Sequence, residues 1–165
     1  MPDMLVKLYE LPKLDSIMRA MEEKEVTIRL GIPPEKHLVL DWIREHFGEG
    51  WASEADVAFG NKPSTIYLAV DNKTERLVGF ACFEATYKCF FGPTGVHPDY
   101  RGKDIGKALL LASLHGLARL GYGYGVIGGA GPVDFYKKTA GAIEIPNSVP
   151  GVYRGMLRKE AKAIG

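Results

Sequence analysis

Cysteine, net charge and long apolar runs are all scarce in this chain, and each scarcity closes off a class of function. Its two cysteines, Cys82 and Cys89, are separated by six residues, which matches neither a Cys-x-x-Cys redox pair nor a zinc site. Both fall in apolar, strand-like segments and read as reduced structural residues, the alternative being that one lines an acyl pocket. A covalent cysteine mechanism has no partner close by in sequence. The 21 Lys and Arg nearly balance the 20 Asp and Glu, leaving a net charge of +1, and they are scattered. Nothing pulls such a chain globally toward nucleic acid or an anionic membrane. No apolar run is long enough to cross a bilayer and no leader-like pattern is present, so a cytoplasmic location without nucleic-acid or membrane partners is expected. The histidines do not gather either: His37 and Asp41 lie one helical turn apart and His46 lies nine residues beyond His37. That is no metal-ligand spacing, and no metal is expected.

What is present suffices for one sizeable core. The chain has 165 residues, of which 46% are hydrophobic and 10% aromatic, within the range of a single domain spanning 1–165. Residues 1–25 read as an N-terminal strand and helix added to it: Met4 to Tyr9, then a stripe of Leu14, Ile17, Met18 and Met21. Val26, Ile28 and Leu30 alternate as a strand. After the break at Gly31 to Pro34, Val39, Trp42, Ile43 and Phe47 form the apolar face of a helix. Gly48, Gly50 and Trp51 mark a turn before a second helix ending near Phe59. Ile66–Val70, Leu77–Phe83 and Lys88–Val96 predict an antiparallel meander. Short strands are expected at Ile143–Ile145 and Tyr153–Leu157, and 158–165 reads as a polar tail.

The densest information lies in residues 94–111. A strand ends near Val96, a glycine-spaced loop follows, and Ile105 to Leu120 carries a helical apolar face through Leu110, Leu114 and Leu117. A helix start facing the end of a strand presents unpaired N–H groups and the positive pole of the helix dipole, which suits an anion. Two phosphate motifs fail the comparison. A Walker A loop needs four residues between its glycines and a hydroxyl after its lysine, whereas Gly102 and Gly106 are separated by three and Ala108 follows Lys107. The dinucleotide fingerprint agrees in neither spacing nor position.

The run Val-His-Pro-Asp-Tyr-Arg-Gly-Lys-Asp-Ile-Gly, residues 96–106, resembles the GNAT N-acetyltransferase superfamily. There a strand ending in Val-x-Pro leads into Gln/Arg-x-x-Gly-x-Gly/Ala, whose amides hold the pyrophosphate of acyl-CoA. Val96, Pro98, Arg101 and Gly106 match, and Asp104 stands where the pattern has its central glycine. Phe135 to Ala142 is similar to the family's Phe-Tyr-x-Lys-x-Gly-Phe element, with the glycine one residue late and Ala142 in place of an aromatic. The likeness covers roughly residues 26 to 157. It implies a mixed α/β acyl-CoA N-acyltransferase-like fold, a central, mostly antiparallel twisted sheet flanked by helices. It further implies acetyl-CoA as cosubstrate, bound by Gly95, Val96, Arg101, Gly102, Lys103, Asp104, Ile105, Gly106 and Lys107. Tyr136 is implied as the proton donor to the departing thiolate.

Acetyl transfer also needs an unprotonated amine and a stabilised oxyanion. Glu84, at the end of a central strand, is the leading base or water-positioning group, against an ordinary turn carboxylate. Breaks at Gly92 and Gly95 are expected to expose backbone near the thioester. Trp51 and Asp56 are candidates for the acceptor entrance, and His97 for a cofactor or acceptor contact. Asp104 is read as pointing outward onto the exposed N–H groups of the helix start; an inward carboxylate would repel phosphate. The expected acceptor is a small-molecule primary amine. A protein amine, another short acyl group and a homodimer stay open. A noncatalytic acyl-CoA sensor is the alternative from a different class.

Overall fold

The computed structural model describes residues 1–159. Seven strands form one sheet: β1 (Met4–Lys7), β2 (Val26–Leu30), β3 (Ile66–Asp71), β4 (Arg76–Phe83), β5 (Phe90–Val96), β6 (Tyr124–Ile127) and β7 (Ile143–Glu144). Their order is β2-β3-β4-β5-β6-β1-β7. Every neighbouring pair is antiparallel except β5 with β6. The mixed α/β, mostly antiparallel architecture expected from the sequence is therefore the one observed.

Helices cover both faces, which is why β4 is buried from Val78 to Phe83 without a polar break. On one face lie α2 (Lys36–Phe47) and α3 (Glu49–Gly60), packed through Val39, Ile43, Ala52, Ala55 and Phe59 onto Ile66, Leu68, Phe80 and Cys82. On the other lie α1 (Asp15–Glu23) and the central helix α4 (Ile105–Arg119). The α4 side chains Leu109, Leu110, Leu114 and Leu117 are fully buried and share a core with Met4, Val6 and Phe83. Gly116 lets α4 come this close: a Cβ there would stand 2.7 Å from the Phe83 ring. Helix α5 (Val133–Ala140) stops at Gly141, whose φ of +64° provides the left-handed cap glycine supplies most readily.

Three local expectations change. The turn before α3 is Gly48 alone, at φ +99°, while Gly50 and Trp51 are already helical. Cys89 sits in the turn before β5, not in a strand. No strand forms at Tyr153–Leu157; Gly151–Tyr153 is a 3-10 turn. The reason is competition for one position. The slot between β6 and β7 is filled by β1, whose Met4, Leu5, Val6 and Lys7 pair with Ile127, Val126, Gly125 and Tyr124. The N-terminal strand is thus interior to the sheet, with Met4 and Val6 completely buried. Of the tail read at 158–165, residues 160–165 lie outside the described residues.

Candidate active site

The cleft follows from two strands that part. Parallel β5 and β6 are in register only at Phe90 with Val126 and Phe91 with Ile127; β6 then ends while β5 continues along β4 to Val96. A cleft of about 1290 Å³ occupies the opening between them. Its floor is Gly92 to Val96, its far wall Gly128, Gly129 and Gly131, and Tyr136 lies against it from α5. His97 N–H donates to Val78 O at 2.8 Å, so the ladder's alternation turns the Gly95 backbone toward β4 and the Thr94 and Val96 backbone toward the cleft. Gly95 is therefore not the residue that offers its amide. It is small because the Phe47 ring covers it, a Cβ there standing 2.4 Å from Phe47 Cζ. Gly92, at φ +118° beside the β4–β5 bulge, does line the cleft.

Val96, Arg101, Gly106 and Phe135 connect the cleft to a smaller chamber of about 250 Å³, which Gly102, Asp104, Ile105 and Lys107 complete. Here the loop becomes α4. The first helical turn closes with Ala108 N–H donating to Asp104 O at 3.0 Å, and the preceding loop spends Arg101 N–H on Pro98 O. Between them, the N–H groups from Gly102 to Lys107 have no acceptor among the described residues. Gly102 at φ +76° and Asp104 at φ +63° supply the two left-handed residues that curl the loop. The family pattern's central glycine falls at this second left-handed position, and aspartate is among the few residues that tolerate it. The Asp104 side chain points outward, 64% exposed, with Oδ2 3.8 Å from Lys24 Nζ. It makes no hydrogen bond to the helix start, contrary to the capping expected of it. Lys103 is not among the lining residues, although its ammonium lies 4.9 Å over the ring of Tyr100, which is. Arg101 and Lys107 are the cations that face it.

Tyr136 is only 6% exposed, and burial pushes its phenol up to about 12. Its ring meets Phe91 edge-on at 6.3 Å. The late glycine of its motif leaves this placement intact, since Gly141 only ends the helix.

Glu84 is engaged elsewhere. At φ +58° after β4, its carboxylate accepts from Cys89 N–H at 2.5 Å and from the Tyr122 hydroxyl at 3.1 Å. It shapes the β4–β5 turn and does not line the cleft. The carboxylate that does is Glu54, from α3, accepting from the Thr86 hydroxyl at 2.5 Å. Sequence reasoning missed it, because nothing marks Glu54 beyond its position at the edge of the Ala52, Ala55 and Ala58 stripe. Also missed was the C-terminal segment. Pro150 and residues 152–156 return over the cleft, and half-buried Tyr153 stands by Gly128, its hydroxyl 3.0 Å from where a Cβ would lie. Burial raises the Tyr153 phenol first, and the Glu54 and Asp3 carboxylates raise it further. Trp51 lines the cleft, stacked on Phe47 at 5.2 Å. Asp56 pairs with Lys36 away from it. His97 Nδ1 accepts from Asp99 N–H at 3.1 Å and serves the turn. Cys82 is buried under the sheet, where burial raises its thiol well above the ordinary range. Neither cysteine lines the cleft, and the described residues hold no cluster of three metal-ligating side chains. No helix among them is long and apolar enough to cross a membrane.

A parallel pair that splays beside a glycine-looped helix start defines a class. The family model for the acetyltransferase (GNAT) family matches residues 36–141, and the chain belongs to that family. Among solved structures, it is similar to a glucosamine N-acetyltransferase region of a fungal multi-domain β-N-acetylglucosaminidase. That match has 14% identity and a TM-score of 0.72, covering 87% of this chain and 19% of that one. A GNAT-type N-acetyltransferase from Sphaerobacter thermophilus aligns at 19% identity and a TM-score of 0.66, over 87% of this chain and 48% of the other. A tandem GNAT protein of clavulanic acid biosynthesis aligns at 17% identity and a TM-score of 0.54, over 87% and 49%. The chain thus spans half or less of these structures, and they share its fold. No curated protein is similar enough to count as a match.

Proposed function

We propose that this domain transfers an acetyl group from acetyl-CoA to the primary amine of a small molecule, both substrates being bound together. The carrying observation is that a cleft lined by a buried phenol and a carboxylate shares Val96, Arg101, Gly106 and Phe135 with an amide-rich chamber at the start of α4. The residues present fit the cosubstrate: the unpartnered amides from Gly102 to Lys107, with Arg101 and Lys107, suit a pyrophosphate. Bound acetyl-CoA supplies an acyl carbonyl activated as a thioester.

The chain's own groups then divide the work. Val96 and Thr94 turn backbone toward the cleft, and the Val96 N–H is the donor we assign to the charge developing on the acyl oxygen. Glu54 takes a proton from the acceptor ammonium, freeing the lone pair. A C–N bond forms as the C–S bond breaks, and the second amine proton ends on the departing sulfur, so the products are the amide, the CoA thiol and protonated Glu54. Tyr136 supplies the hydrogen bond that meets the departing sulfur. Complete transfer from a phenol at about 12 to a thiolate of ordinary pKa, about 8.5, would cost roughly 5 kcal/mol. Burial of that thiolate narrows the gap, so the phenol acts chiefly as a donor while the expelled proton follows.

The reading is tested by incubating the protein with acetyl-CoA and a panel of amines, following thiol release and identifying products by mass spectrometry. N-acetylated product, lowered at least tenfold by Glu54→Gln, is expected. Acetyl-CoA binding by calorimetry without transfer to any amine would reduce the domain to a sensor.

A further inference from the structure

The walls of the acceptor end narrow the amine. Among the described residues lining the main cleft, Glu54 is the only one with a side-chain carboxylate, and the side-chain cations are Arg101 and Arg154. Arg101 belongs to the phosphate chamber and Arg154 is exposed at the rim. The cleft that Glu54 lines is otherwise mostly apolar or aromatic: Phe47, Trp51, Tyr87, Val152, Tyr153 and Met156 are among its walls, with Thr86 and Thr94 as its side-chain hydroxyls outside the tyrosines. Trp51, Tyr87, Val152 and Met156 are also among the large apolar side chains left exposed on the surface. Phe47 and Trp51 stack on each other and reach Phe80 at 5.8 and 6.2 Å, so this wall is fixed by the core behind it.

Charge complementarity then selects the occupant. One carboxylate neutralises one ammonium. A second or third ammonium on the same molecule would lie against aromatic and aliphatic walls with no counter-charge, a costly burial. A sugar amine would bring several hydroxyls to a surface whose polar groups are few and partly spent, Thr86 already donating to Glu54. An apolar body carrying one ammonium meets both conditions, with the aromatic faces adding cation–π attraction. We infer that the acceptor is a primary amine bearing a single positive charge on an apolar body of aromatic size, read by Glu54 and packed between Trp51 and the returning segment around Tyr153. This rests on the acetyl-transfer reading and specifies its substrate.

The experiment compares kcat/KM for 2-phenylethylamine, n-hexylamine, methylamine, phenylalanine, glucosamine and spermidine, alongside calorimetric titration of each amine into the CoA-loaded protein. The first two are expected to exceed methylamine, glucosamine and spermidine at least tenfold in kcat/KM and to bind more tightly. Trp51→Leu, which keeps an apolar side chain, should raise KM for 2-phenylethylamine several-fold more than KM for methylamine, with the larger part of the loss in KM and not in kcat. Circular dichroism checks its fold, and Trp51→Phe should restore most of the loss. Turnover that favours spermidine, glucosamine or phenylalanine overturns this inference and leaves acetyl transfer standing. No transfer to any of the six, with none of them bound, overturns both.

Discussion

Single side chains here carry their roles through what surrounds them. That Tyr136 lies against the cleft was legible in the sequence because its motif is local, whereas the place of Glu54 in the same cleft became visible only when α3 was laid beside the β4–β5 turn. Glu84 shows the same limit from the other side: a carboxylate at a strand end looks available until Cys89 N–H and the Tyr122 hydroxyl are seen to occupy it. Replacing Tyr136 with Phe should lower kcat about 100-fold with acetyl-CoA affinity nearly unchanged, as expected for a lost proton-handling group. A second readout tests the burial of the phenol itself. A phenol raised in the folded state contributes stability that is complete below pH 10 and fades as pH climbs toward about 12, up to roughly 3 kcal/mol. Alkaline unfolding of Tyr136→Phe should therefore lack that part of the wild-type slope; identical slopes would contradict the buried phenol. At Asp104 the left-handed backbone sets the order of stability. Thermal unfolding should rank Gly at least equal to Asp and Asn, with Ala lower by about 1 kcal/mol, since the exposed Lys24 pair adds little. A large salt-sensitive gain in CoA affinity for Asp104→Asn would mean that the carboxylate faces the phosphate chamber after all.

At the scale of elements, the sequence disclosed strands and helices with a clear period but not which strand took which place. Nothing local in Met4–Lys7 says that it will pair with β6 and leave no slot for a strand near Tyr153. That outcome is decided by long-range contacts, above all those of Asp3. This carboxylate, 7% exposed, accepts from Gly129 N–H at 2.8 Å. Its own backbone N–H donates to Ser148 Oγ at 2.8 Å, and its carbonyl accepts from Ile145 N–H at 2.9 Å. One residue thus fastens the start of β1 to the glycine wall of the cleft and to the segment leading to Tyr153. Asp3→Ala leaves the Gly129 N–H without its acceptor, which should cost about 1–3 kcal/mol. It should also raise the acceptor KM more than that of acetyl-CoA, because the returning segment lines the part of the cleft proposed to hold the acceptor. Denaturant midpoints and separate KM values check both. Unchanged acceptor KM with the stability lost would confine Asp3 to holding the sheet together.

Across the whole molecule, the amide-rich loop at the start of α4 was readable in advance because it is one continuous stretch, and the end of the cleft around Glu54 was not because three distant segments build it. Glycine shows why reading by type misleads: Gly95 and Gly106 were both expected to meet the cosubstrate, yet the space over one is filled by Phe47 and the other faces open space. A Cβ at Gly106 meets only Val96 Cγ2, at 3.8 Å, so the fold accepts a side chain there, whereas a pyrophosphate held on these amides, as proposed, would not. That contrast makes Gly106→Val a test of binding and not of folding. At a hundredfold excess of acetyl-CoA over its dissociation constant, the wild type should gain about 2.7 kcal/mol. For a domain of this size that corresponds to a Tm rise of roughly 5–10 °C. Gly106→Val should unfold within about 2 °C of the wild type when free, since replacing a first-turn glycine is close to neutral for the helix, and should show less than a third of the shift at the same acetyl-CoA concentration. A full shift in the variant would remove the pyrophosphate from the start of α4, while a collapse of the free variant would show that Gly106 is held by packing like Gly95.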